Sequence, residues 1–248
     1  EDTITLVLSA PSSAFVDLRI LLPSVPSPTK SPPDAAAAAH APPSPLLPNT
    51  GGPASRLEWA FAGFSESGPS PVGIPHVVHK KWVHVIDSRC GFDEEGTADE
   101  GDLWDRPGGY SLETGIMRHP ATGVDVAYQE MWKEVDVKAV NREPLRYAVV
   151  LSHHNPQLKS RGMIVRVGQY CQGIYMLDRE VTVERWQCGE DESKEKRPND
   201  LWRRTVKLGS RFLPCVWTFE PEKLTVGAKL MGPGEEDDVW EVKELGAW

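Results

Sequence analysis

The sequence is short of positive charge: 27 Lys and Arg stand against 36 Asp and Glu in 248 residues, a formal net charge of −9. Non-specific nucleic-acid binding needs a basic footprint, so no nucleic-acid partner is expected. Long apolar runs are also missing. No stretch approaches the ~20 apolar residues of a bilayer-crossing helix, and the chain is not expected to be membrane-spanning. Cysteine is scarce, and Cys90, Cys171, Cys188 and Cys215 form no C-x-x-C pair. That is too sparse for a disulfide scaffold and wrongly spaced for a structural zinc site. Free, mostly buried thiols in a reducing compartment are expected instead, which places the protein in the cytoplasm or nucleus. Neither G-x-x-x-x-G-K-[ST] nor G-x-G-x-x-G occurs, and no G-x-S-x-G elbow, which sets aside nucleotide-driven and esterase-type chemistry. No cofactor is expected. The chain begins at Glu1 with neither an initiator Met nor a secretory leader, as a trimmed sequence would.

Proline is plentiful but concentrated. Ten of the 22 fall between Pro23 and Ser55, around an alanine run at 35–39. Such a stretch lacks the apolar surface to offset its ordering entropy, so residues 23–55 read as a flexible or polyproline loop. Docking of its Pro-x-x-Pro spacings on an SH3-type partner is the rarer reading.

The rest reads as strands. Apolar runs at 4–8 and 15–22 flank a turn, and residues 57–64 resume the ordered chain. Residues 77–89 alternate, with Trp82, His84 and Ile86 on one face and Val83, Val85 and Asp87 on the other. Residues 91–106 read as an acidic loop, and 110–118 with 124–135 as a hairpin. Further strands are expected at 147–152, 162–170, 172–177, 181–186, 201–208, 212–219, 224–231 and 239–245, with a charged loop at 188–200. No helical period persists for three turns. An all-β protein, a sandwich or barrel, follows, divided into units 1–140 and 141–248. Eight tryptophans each fall within or beside a separate predicted strand, the pattern of large rings filling small barrels.

Several stretches resemble one family. Val16-Asp17-Leu18-Arg19 precedes the long loop and the EWAFAG run from Glu58 follows it. Trp82 to Asp87, Glu113-Thr114-Gly115 and Tyr128-Gln129-Glu130-Met131-Trp132 form the middle. The VGQYCQG run from Val167 and Val239-Trp240-Glu241-Val242 close it. Together these resemble the fungal Hri protein family, small cytosolic proteins named for interaction with a casein-kinase-1-type kinase. The resemblance covers nearly the whole chain and implies two lipocalin-like (calycin) antiparallel β-barrels packed side by side. It implies a kinase-type protein partner and carries over no catalytic residue.

Chemistry is thinly signalled. His79 and His84 have opposite strand parity, and His153 and His154 point to opposite faces, so no metal site is expected. The best catalytic candidates end the 77–89 strand: His84 as a general base, or Asp87 and Arg89 as an ion pair. Alternation allows only one of these sets to face a lumen. Glu58 and Glu130 are expected to meet water or arginines. Trp59, Trp82 and Trp132 are the candidate ligand-binding rings. The acidic runs at 93–95 and 235–238 lack EF-hand spacing. The leading expectation is a soluble, non-enzymatic binding protein whose partner is a kinase or a small hydrophobic ligand. The alternative is a cyclase, isomerase or dehydratase using the barrel cavity on a hydrophobic metabolite. A cavity lined by Trp and ionisable groups favours ligand or catalysis; a filled barrel favours a protein partner.

Overall fold

Short alternating segments, punctuated by Gly and Pro, become fourteen strands in the computed structural model, which describes residues 3–22, 47–94, 97–118, 122–140, 145–189, 198–232 and 238–248. The first seven are β1 (Thr3–Ser9), β2 (Ala14–Leu21), β3 (Leu57–Pro69), β4 (Val77–Asp87), β5 (Ala98–Arg106), β6 (Tyr110–Arg118) and β7 (Asp125–Lys133). They pair antiparallel in chain order and curl into a half-barrel. The others are β8 (Tyr147–Asn155), β9 (Ser160–Val167), β10 (Tyr170–Leu177), β11 (Glu180–Cys188), β12 (Trp202–Leu208), β13 (Lys229–Met231) and β14 (Val239–Ala247). These form a second antiparallel sheet beside the first, with β14 and then β13 added next to β8. The all-β architecture of two side-by-side sheets matches the sequence expectation.

Strand β2, AFVDLRIL, explains how the sheets meet. Its even positions, Val16, Leu18 and Ile20, are fully buried in an apolar core shared with Val165, Ile174 and Val206 of the second sheet. Its odd positions, Phe15, Asp17 and Arg19, face the hollow of the half-barrel. The other face of the second sheet is covered by aromatics, with Trp202 stacked on Phe219 at 4.1 Å and Trp240 fully buried.

The expectation for residues 77–89 fails at one point. Ala62 pairs with Ile86 but Gly63 pairs with His84, so Val85 is looped out as a bulge. The extra residue resets the alternation. Ile86 joins the core between the sheets, whereas His84 and Asp87 share the opposite face, 3.0 Å apart. Gly63 admits the bulge, because a Cβ there would lie 1.9 Å from the Val83 carbonyl oxygen. Gly63→Ala is therefore expected to cost about 1–3 kcal/mol, measured as a lowered urea midpoint at unchanged slope.

Other expectations are corrected too. Residues 98–106 of the supposed acidic loop are β5, because β4 offers the opposite charges: Lys81 pairs with Glu100, and His79 with Asp102 at 3.0 Å. Residues 212–219 hold the 3₁₀ turn Pro214–Phe219 instead of a strand, since Pro214 has no N–H to give a ladder. Of 224–231 only Lys229–Met231 is strand; Gly227, at φ +84°, turns the chain before it. The end of the proline-rich segment is ordered. Gly52 forms a parallel bridge to Leu208, and the Pro48 carbonyl accepts from the Lys207 N–H at 2.8 Å. Residues 23–46 lie outside the described residues, as do most of the 188–200 loop and of the 235–238 run.

Candidate functional site

The half-barrel encloses a cavity of about 570 Å³. All seven strands of the first sheet line it. Alternation fixes its wall: odd positions of β2, β3, β5 and β6 point inward, as do even positions of β7 and of β4 up to the bulge. Trp59, Phe61, Trp82 and Trp132 supply much of the apolar lining. Space for Tyr128 comes from two glycines on the neighbouring strands. A Cβ at Gly115 would lie 2.6 Å from its ring, and one at Gly101 3.0 Å from its hydroxyl.

Charge crosses this apolar wall. Arg19 donates to Asp17 at 3.1 Å and to Glu130 at 2.7 Å across the cavity, and lies over Trp59 at 5.3 Å. Asp17 has a 3% exposed side chain, and its second oxygen has no hydrogen-bond partner. Burial pushes its pKa up to about 7, although the Arg19 guanidinium pulls the other way. Glu113 accepts from the Tyr128 hydroxyl at 2.6 Å and the Trp132 indole N–H at 2.8 Å. Burial still holds its carboxyl above the ordinary range, as it does that of Asp99. For Arg19 burial disfavours the charge, but Asp17 and Glu130 more than offset that and hold it up.

The sign of the pH dependence follows from Asp17. Its folded pKa, about 7, lies above the ordinary 3.8, so the folded state holds the extra proton between those values and stability falls as pH rises through that window. The slope from one such group is at most about 1.4 kcal/mol per pH unit. Asp99 and Glu113 act in the same direction. Asp17→Asn is expected to flatten the fall in urea midpoint between pH 5 and pH 7; an unchanged slope would place the titration elsewhere.

His84 and Asp87 are together but stand behind the cavity wall. The His84 ring is stacked on Phe61 at 4.1 Å with its side chain wholly buried. Its Nδ1 donates to Asp87, while its Nε2, without a hydrogen-bond partner, lies 3.4 Å from Asp99. Asp87 also accepts from the Trp59 indole N–H at 2.8 Å, the Arg89 N–H at 2.9 Å and the Thr97 hydroxyl at 2.9 Å. Burial raises its pKa, but these bonds outweigh that and leave it below the ordinary value. The pair thus fixes Trp59 in place. Arg89 does not pair with Asp87 through its guanidinium; it bonds Glu58 at 2.5 Å and covers Trp59 at 3.9 Å.

The structure brings Trp59, Trp82 and Trp132 to one cavity, adds Glu130 to it, and leaves Glu58 outside. Sequence reasoning missed Asp17, Arg19, Asp99, Glu113 and Tyr128. The available signal was in β2, where two charges two residues apart interrupt an apolar strand on one face. Among the described residues no group of three or more His, Cys, Asp or Glu is placed to hold a metal, the four cysteines are free, and no helix is long and apolar enough to cross a membrane.

The family model described as Protein HRI1 matches residues 1–244, and the chain belongs to that family. No curated protein matches it in sequence. In fold it is similar to the crystal structure of an uncharacterized protein, YLR301w, from Saccharomyces cerevisiae. That likeness has a TM-score of 0.63 at 17% identity and covers 99% of this chain and 92% of the other.

Proposed function

We infer that this member of the HRI1 family is a non-enzymatic binding protein that holds a small, largely apolar molecule in the half-barrel of its first sheet. The observation that carries the reading is the aromatic-walled cavity of about 570 Å³ with charged groups set into its wall. Ligand sites are commonly concave, apolar and provided with a few placed polar groups. The second sheet then supplies the base on which the first is held. Lipocalin-like binding is the analogous use of a curled antiparallel sheet.

Enzymatic use of the same cavity is the second reading, favoured by the His84–Asp87 pair. Against it, His84 lies behind Phe61 and does not line the cavity. A casein-kinase-1-type partner is a separate proposal that rests on the family resemblance, and pull-down with such a kinase tests it. The free cysteines support a cytoplasmic or nuclear setting.

Native mass spectrometry of protein purified from its own host, followed by denaturing extraction, tests binding. A stoichiometric small molecule released on denaturation is the expected result. Ligand-free protein that also takes up no apolar probe would overturn it.

A further inference from the structure

We propose that the cavity selects an organic cation, an amine with an apolar body, over neutral or anionic molecules of the same shape; this rests on the binding reading above. The first ground is the charge in the wall. Asp17, Asp99, Glu113, Glu130 and Glu134 are five carboxylates against three cations, Arg19, Lys80 and Lys133. The exposed neighbours Lys133 and Glu134 offset one another. Arg19 is already committed to Asp17 and Glu130, and so offers little to an anionic ligand. Among the described residues neither Asp99 nor Glu113 has a direct ion pair to Arg or Lys: Glu113 is met by the Tyr128 and Trp132 donors and His84 Nε2 lies 3.4 Å from Asp99, while Lys80 and Arg19 act on these carboxyls only at longer range.

The second ground is independent of the count. One oxygen of Asp17, in the cavity wall and buried, has no hydrogen-bond partner. A buried carboxylate oxygen left so is costly unless a donor arrives. An ammonium N–H is such a donor. The third is the chemistry of the rings. Arg19 lies within 6 Å of the centroids of Trp59, Phe61 and Trp132, and Lys80 lies 5.4 Å from that of Trp82. Cations thus already lie over these ring faces, although burial lowers the pKa of Lys80 and Glu113 only partly offsets that. Burial holds the carboxyls of Asp17, Asp99 and Glu113 above the ordinary range even with Arg19 nearby, and a bound cation would draw them down.

The test titrates the full chain calorimetrically at pH 7 with octylamine, octanol and octanoate, which share one apolar body. The amine is expected to bind about tenfold more tightly than the alcohol, with octanoate weakest. Asp99→Asn, on a partly exposed side chain, is expected to weaken octylamine several-fold more than it changes octanol. Lys80→Met is expected to strengthen octylamine, a gain that misfolding would not produce. Equal binding of amine and alcohol, or a preference for octanoate, overturns the charge selectivity and leaves the cavity reading standing. Failure of all three at millimolar concentration overturns both.

Discussion

Arg19→Met is expected to destabilise the protein by about 3–5 kcal/mol at pH 7.5, the cost of removing one partner from a buried ion pair. Arg19 is the bridge from β2 to β7, bonded to Asp17 at 3.1 Å and Glu130 at 2.7 Å. A methionine keeps most of the apolar stem against Trp59 but leaves Asp17 buried without its cation. At pH 5 the loss is expected to shrink, because Asp17, with its pKa raised by burial to about 7, is then protonated. Adding Asp17→Asn is expected to recover part of the stability at pH 7.5. Urea unfolding of the single and double variants at both pH values checks this, and a pH-independent loss would assign the effect to packing alone.

Gln172→Leu carries the second large effect, about 2–3 kcal/mol, for a side chain of similar volume. Gln172, fully buried on β10, donates to the backbone carbonyls of Leu6 at 2.9 Å and Val16 at 3.1 Å. It accepts from Arg185 Nε at 2.6 Å, and Arg185 in turn donates to the Leu18 carbonyl at 2.9 Å. Two side chains of the second sheet thus reach the backbone of the first. Burial pushes the pKa of Arg185 down to about 10, against the pull of the Asp17 carboxylate. Leucine would remove one acceptor from a buried guanidinium. A thermal shift accompanied by earlier exposure of the β1–β2 amides to hydrogen exchange is the expected signature.

These two variants mark where sequence reading stops. Alternation located most strands because each has one face or both in a core: the even positions of AFVDLRIL gave β2 its buried side. The same alternation misassigned the end of β4, since one looped-out residue, Val85, moves Asp87 onto the face of His84. Gly63 was the local sign, legible only with its partner strand in view. Strand β5 was hidden because its acidity is a strand signal only opposite the lysines of β4. How the second sheet is covered depends on the Pro214–Phe219 turn folding under it, a long-range event with no local pattern. Trp59, Trp82 and Trp132 were named as rings for a ligand. Of the carboxylates among them, Asp99 fell in the segment expected to be an acidic loop, and Asp17 and Glu113 were assigned to no site.

The central claim is that the hollow of the first sheet is a binding site. Leu103 lines it from β5, and Leu103→Trp would narrow it without altering the shared core. Native mass spectrometry of wild type and Leu103→Trp, prepared from the same host, is the direct test. The account predicts a bound small molecule in the wild type and its absence in the variant, with far-ultraviolet dichroism unchanged. The same adduct in both, at equal occupancy, would contradict it.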